Sequence, residues 1–389
     1  MPILPTKLDG KELARRQQLV LHEMRNDGVD CLVMFNFSTW YPGPMKYLFD
    51  YGHQYPSGAI FAPDGIKHYG HVYFDPEIPE NDPSGRLPEK RILFAPMVNA
   101  TWASDWMPTQ MLGELKAKHY HKIGIAGMQY VPSFLYEKLT KNLPDCEFVE
   151  YQHVIDRIRL VKSPYEIELL RDLCRRHDRM MEECANFLRP GLTSGEICNY
   201  LIKVAADYGM TEFNVMAGPY MPGASNVAGV AGINGNIPKT VPGSYVVCMI
   251  ECAGPYGQWS EISRVLSLGQ PSDEMLKGVE DAITLQTYAA QLCVPGAVPS
   301  AVMKQVNDKM EAMGYYREPR VCIHGQSYEI VDIPYFGPGE DTPLSENSYL
   351  AIHPEAGNAS LRCNVTDNYL VTPGGATRLM ESDRHIIVV

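Results

Sequence analysis

The stretch from residue 157 to 196 constrains this chain more than any other. In "RIRLVKSPYEIELLRDLCRRHDRMMEECANFL" Ser163 stands before Pro164, and Glu166 follows three residues after the serine. A hydroxyl that accepts from the third helical N–H, a glutamate that reaches back, and a proline preset for the first turn form a capping box. The pattern predicts a long helix beginning at residue 164. "RPGLTSGEICNYLIKVAADYG" repeats the device, with Thr193 or Ser194 as cap and Glu196 close behind.

The texture of the chain changes at this stretch. Before about residue 155, short apolar strands ("DCLVMFN", "GAIFAP", "RILFAP", "KIGIAG") alternate with helical pattern such as "GKELARRQQLVLHEMRNDGV", which favours a small α/β domain. After about residue 212 the chain is rich in strand pattern punctuated by Gly and Pro, with two more helices expected at "PSDEMLKGVEDAITLQTYAAQLC" and "PSAVMKQVNDKMEAMG". The expectation is an α+β protein of two domains, 1–155 and 156–389, without internal repeats.

Composition removes several classes of function. The formal charge is −12 and no Lys/Arg cluster is present, so nucleic acid and anionic membrane are not expected partners. No apolar run approaches the ~20 residues of a membrane span, and "MPILPTKLDGKELARRQ" lacks a secretory core. A cytoplasmic location is expected. Ten cysteines are scattered without a CxxC pair, which predicts reduced, buried thiols.

Four segments of the second domain concentrate residues able to do chemistry: 214–236, 248–265, 322–334 and 349–357. Glu251 and Glu261 flank a short apolar segment broken by Gly254-Pro255 and Gly257. His324, followed by Gly325, and His353, followed by Pro354, each sit in apolar strand-like surroundings. Two histidines and two glutamates on strand-like segments of one domain point to a shared site. They suit a metal, acid–base catalysis, or a grip on a cationic group. The Cys252 thiol has no basic neighbour in sequence that would activate it.

In order and spacing these segments resemble the creatinase/aminopeptidase P/prolidase family. "RIRLVKSPYEIELLR" resembles its interdomain signature, "LRPGLTSGEI" its following turn and helix, and "ISRVLSLG" the stretch after its second metal-binding aspartate. The resemblance implies a C-terminal domain of pita-bread fold, preceded by a smaller α/β domain.

Metallopeptidases of the family bind two divalent ions through two Asp, one His and two Glu. Carried over position by position, the two Asp fall at Glu251 and Glu261 and the His at His324, with Tyr328 in an alternative register. The two Glu fall at His353 and Thr366. Two adjacent ions need bridging carboxylates; a neutral threonine and an imidazole do not supply them. If any metal binds, its expected ligands are Glu251, Glu261, His324 and His353 around one ion.

The expected function is therefore a creatinase-like hydrolase of a non-peptide C–N bond, amidine or amide, in a small polar substrate, with no cofactor. His324 is the first candidate for proton transfer, with Glu251 and Glu261 as cation holders, base or nucleophile. His353, Tyr328 and Arg264 are expected to contact substrate. The histidine that the family carries in the loop "GINGNIPKTVPGS" is missing, and Asn234 or Asn236 stands in its place. The aromatic stretch 38–58, with His53, Gln54 and Tyr55, matches a loop that covers a neighbouring subunit's active site in the family, so a homodimer is expected. The alternatives are a lyase on a small organic acid, a mononuclear metal hydrolase or peptidase, and an inactive binding module. The retained Glu/Glu/His/His quartet argues against the last.

Overall fold

The computed structural model describes residues 8–36, 43–50, 57–70, 78–93, 105–220 and 239–389. It divides into two compact units, Met1–Arg159 and Leu160–Val389. Among the described residues no helix is long and apolar enough to cross a membrane.

The first unit runs α1 (Gly10–Asp27), β1 (Cys31–Asn36), α2 (Gly43–Phe49), β2 (Ser57–Ala62), β3 (Gly65–Gly70), β4 (Glu89–Leu93), α3 (Trp106–Lys118), β5 (Lys122–Ala126), α4 (Ser133–Asn142), β6 (Glu147–Glu150) and α5 (Gln152–Leu160). Its six strands form one mixed sheet in the order β4-β3-β2-β1-β5-β6. The apolar side chains of β1, β2 and β5 pack on Met107, Met111 and Leu115 of α3 and on Leu135 and Leu139 of α4. The four expected strands are β1, β2, β4 and β5. Of the two unexpected ones, "EFVE" has only four residues and "GIKHYG" is interrupted by a lysine and a histidine.

The second unit continues with α6 (Pro164–Phe187), α7 (Ser194–Asp207), β7 (Glu212–Tyr220), β8 (Tyr245–Ala253), β9 (Trp259–Ser267), α8 (Asp273–Leu292), α9 (Pro299–Ala312), β10 (Ile323–Gly325), β11 (Asp332–Tyr335), β12 (Tyr349–Ile352), β13 (Ala356–Gly357), β14 (Arg362–Cys363), β15 (Asp367–Thr372), β16 (Gly375–Arg378) and β17 (Ile387–Val388). Both predicted capping boxes form. Ser163 and Glu166 cap α6, and Thr193 and Glu196 cap α7. The Ser194 hydroxyl instead donates to the Ala217 carbonyl.

Strands β17-β9-β8-β7 make one sheet, and β11-β10-β12-β15-β16 a second. Side chains alternate along a strand, and this sorts the chemistry. Cys248, Ile250 and Cys252 of β8, with Ile262 and Leu266 of β9, pack with Leu173, Met180, Ile197 and Leu201 of α6 and α7. The opposite face of the same strands therefore carries Met249, Glu251, Glu261 and Ser263. Helices α8 and α9 pack Val279, Ile283, Val302 and Val306 with Ile323, Ile352 and Val371 of the second sheet.

The two sheets meet at one seam. Ser263 and Thr366 exchange both backbone hydrogen bonds, each at 3.2 Å. Beside them Arg264, fully buried, directs Nη2 to Asp367 Oδ1 at 2.8 Å, and Arg378 Nε lies 3.1 Å from Asp367 Oδ2. Removing the anion would strand the buried Arg264 guanidinium and leave the half-buried Arg378 without its carboxylate. Asp367→Ala is expected to cost ~3–5 kcal/mol in urea denaturation, against ~1 kcal/mol for Ser163→Ala.

Candidate active site

Glu251 and Glu261 are direct partners across the antiparallel β8–β9 pair. Opposite residues on such a pair hold their Cβ atoms about 5 Å apart, so two acids are placed side by side. Both are buried, at 9% and 1% exposure. Asn214, the partner of Glu251 on β7, donates its amide to Glu251 Oε2.

The second sheet delivers the imidazoles. His324 lies on β10 beside Ala351 of β12, and His353 follows the end of β12. His324 Nε2 is 3.9 Å from Glu261 Oε2, and His353 Nε2 is 3.6 Å from Glu261 Oε1. The two rings meet edge to face at 5.4 Å. His324 Nδ1 is 2.8 Å from the Gly325 carbonyl oxygen. A carbonyl only accepts, so Nδ1 carries the proton, and the Nε2 of the neutral ring turns its lone pair toward Glu261. Gly325 itself has no room for a side chain: a Cβ there would sit 1.9 Å from the Ile333 carbonyl oxygen.

Burial sets the charge state. It raises Glu251 to about 7 against the hydrogen bond from Asn214. Burial, and then the neighbouring Glu251 charge, hold Glu261 well above the carboxylate range. Burial lowers His324. His353 lies well below the usual imidazole range through burial, then the His324 and Arg320 charges. The histidines are thus neutral, and the two acids resist carrying two negative charges together. The cluster is rich in lone pairs, and a nearby positive charge relieves the repulsion between the two acids.

That charge fits a single metal ion. One oxygen of Glu261 and one nitrogen each from His324 and His353 lie within 4.8 Å of one another, a two-imidazole, one-carboxylate set suited to a divalent transition metal. Glu261 Oε1 is buried with no hydrogen-bond partner among the described residues. Two ions do not fit. Thr366 brings no charge and directs its hydroxyl to Asn364 Oδ1 at 2.8 Å, and no carboxylate replaces it among the described residues.

Residues with no motif to mark them hold Glu261 in place. Gln326 Nε2 donates to Glu261 Oε2 at 3.0 Å, and Asn368 Nδ2 donates to Gln326 Oε1 at 2.8 Å. Asn368 Oδ1 accepts from the Glu261 backbone N–H, also at 2.8 Å.

Arg264 requires a correction. Three residues beyond Glu261, it points to the other face, and all five of its N–H groups are engaged. They reach Asp383 O, Ser263 O, Thr366 O, Asp367 Oδ1 and Ser382 Oγ, which leaves none for substrate. Tyr328 is fully buried after β10. Asn234, Asn236, His53, Gln54 and Tyr55 lie outside the described residues. The ten cysteines are all free thiols.

Residues 168–373, more than half of the chain, match the Metallopeptidase family M24. The Xaa-Pro dipeptidase of Pyrococcus horikoshii is 22% identical over 263 residues, covering 66% of this chain and 73% of that protein. The ectoine hydrolase of Halomonas elongata is 22% identical over 312 residues, covering 73% of this chain and 75% of that protein. The crystal structure of the X-Pro aminopeptidase of Thermotoga maritima superposes with a TM-score of 0.80 at 16% identity, over 96% of this chain and 99% of that one. A pita-bread domain of two sheets, with its acids and imidazoles facing one another across the seam, and this match over more than half its length make the chain a member of metallopeptidase family M24.

Proposed function

We propose that the protein hydrolyses a non-peptide C–N bond, amidine or amide, in a small cationic or zwitterionic substrate, without the two-metal centre of its peptidase relatives. The observation that carries this reading is the donor set: His353 and Thr366 stand where two bridging carboxylates are needed, while Glu251 and Glu261 remain paired and buried. A cluster that accepts one positive charge suits an amidinium or ammonium group. The chain's likeness to an ectoine hydrolase is consistent with such a substrate.

The side chains divide the work. His324 Nε2, whose lone pair is left open because Nδ1 faces the Gly325 carbonyl, takes a proton from the attacking water. Glu251, raised to about 7, holds a proton near neutrality and gives it to the departing nitrogen. The C–O bond forms, the C–N bond breaks, and the two proton transfers balance. Gln326 and Asn368 fix Glu261 in register.

A second reading rests on the compact spacing of Glu261, His324 and His353. When bound, one ion there supplies Lewis acidity and a more acidic water. A screen of small amidines, cyclic amidines and amides with and without chelator separates the two. The expected outcome is turnover that survives the chelator and falls ~10²–10⁴-fold in His324→Ala and Glu261→Gln. Chelator-sensitive turnover restored by one added metal would favour the second reading. Turnover undiminished in His324→Ala would remove the histidine from the mechanism.

Glu251 gives an independent check through stability. Its folded-state value of about 7 lies above the ordinary 4.5, so the native state keeps the proton longer than the unfolded chain. Its penalty therefore grows as pH rises from about 4.5 to 7 and stays constant above. In chelator-treated protein, Glu251→Gln is expected to raise the thermal midpoint at pH 8 by ~3 °C and to leave it nearly unchanged at pH 5. Equal shifts at both values would contradict the raised acid.

We further propose a cytoplasmic homodimer in which the 38–58 stretch covers the partner's site. Light scattering is expected to give twice the 43.6 kDa chain mass. A fully active monomer would exclude the shared site.

A further inference from the structure

One buried amide outside the acids and imidazoles meets the site at two places. Gln286, on α8, is 0% exposed. Its Nε2 donates to the Ile352 carbonyl and to the Val365 carbonyl, each at 3.0 Å. These carbonyls belong to the peptide units that lead into His353 and Thr366, the two positions where this chain lacks the bridging carboxylates. The ladder between β12 and β15 ends at the pair Ile352–Asp367. Beyond that pair the Gln286 amide takes the place of the ladder, with one hydrogen for each strand.

Each of these peptide units is gripped at both ends. The His353 N–H donates to the Cys322 carbonyl at 2.8 Å, and the Thr366 N–H to the Ser263 carbonyl at 3.2 Å. With its oxygen held as well, the planar unit between Ile352 and His353 is fixed against rotation, and its plane sets the direction in which the His353 side chain leaves the backbone. Among the described residues no hydrogen bond orients that ring. Its Nδ1 is buried with no partner, and its Nε2 stands 3.6 Å from Glu261 Oε1, beyond hydrogen-bond length. The His324 ring, by contrast, has the Gly325 carbonyl. The clamp is itself oriented: Gln286 Oε1 accepts from Arg384 Nη1 at 3.0 Å, which decides that the NH2 end of the amide faces the two carbonyls.

We propose that Gln286 is a positioning residue: by holding the Ile352 and Val365 carbonyls it sets the place of the His353 ring against Glu261. Its importance for function rests on the proposed reading of the cluster, in which His353 Nε2 and Glu261 Oε1 face the occupant; the hold on His353 does not. The two N–H groups of Gln286 are the working part, and Arg384 orients them. Gln286→Met removes both. Gln286→Glu keeps an acceptor for Arg384 but faces the two carbonyls with acceptor oxygen, so it loses the clamp while the contact with the C-terminal segment remains.

The test is NMR of the purified, chelator-treated protein with histidine isotopically labelled at Cε1, the His353 and His324 signals being assigned by their loss in the alanine variants, together with the thermal midpoint of each variant. In Gln286→Met and Gln286→Glu alike, the His353 signal is expected to move by more than a linewidth and further than that of His324. Arg384→Met, at a half-buried side chain, should move it in the same direction by less, and it carries the test if the Gln286 variants do not fold. Ser163→Ala, which weakens the fold from the start of α6, should lower the midpoint and move neither signal. A lowered midpoint with an unmoved His353 signal in the Gln286 variants would overturn the positioning role, as would an unmoved signal in Gln286→Glu alone or in Arg384→Met, or a His324 signal that moves as far as that of His353. Neither substrate nor ion enters this readout, so a protein without turnover would remove the hydrolase and leave the clamp standing, while turnover with an unmoved His353 signal would do the reverse.

Discussion

The second unit depends on the buried ion network of Arg264, Asp367 and Arg378. One carboxylate on β15 neutralises guanidinium groups from β9 and β16, and so ties the first sheet to the second where their backbones also exchange hydrogen bonds at Ser263 and Thr366. Buried pairs of this kind add specificity of arrangement more than net stability. Their consequence here is positional. Glu261 lies two residues from the seam on β9, and Asn368 lies two residues beyond it, next to Asp367. The network that closes the seam therefore also sets the distance between Glu261 and the Asn368–Gln326 pair that grips it.

From that geometry follows a site with an excess of electron pairs. Two acids on neighbouring strands and two neutral imidazoles from the facing sheet lie buried together. Low effective dielectric makes a second negative charge costly there, and a cation relieves that cost. The M24 fold ordinarily gathers more carboxylate than this. With an imidazole at 353 and a hydroxyl at 366, the same scaffold carries fewer carboxylates, and the occupant we propose is an organic cation or a single metal ion. A neutral histidine whose Nδ1 faces the Gly325 carbonyl, and a glutamate that burial raises to about 7, are the base and the acid of the hydrolysis we propose.

Much of this was legible in the sequence, for identifiable reasons. Capping boxes are local, so Ser163 and Glu166 announced α6 without tertiary information. The Glu251, Glu261, His324 and His353 quartet was visible because each residue interrupts an apolar strand, where an ionisable group is expensive without a purpose. Arg264 was misread because it adjoins the same motif as Glu261; strand alternation carries it to the opposite face, where its partners come from residues 366–383. Asn214 and Gln326 lie in segments the sequence marks for chemistry but carry no sign of their own, and Asn368 lies outside those segments. Neutral amides are common in sequence, and only the pairing of β7 with β8 and the approach of β15 to β10 give them a carboxylate to hold.

The central claim is that the cluster accommodates one unit of positive charge and no pair of ions. Elemental analysis of the purified protein, before and after dialysis against excess manganese, zinc or ferrous iron, tests this most directly. The account predicts at most one tightly held equivalent per chain under every condition, with His353→Ala lowering whatever is bound. Two equivalents per chain, both retained through extensive dialysis, would contradict it.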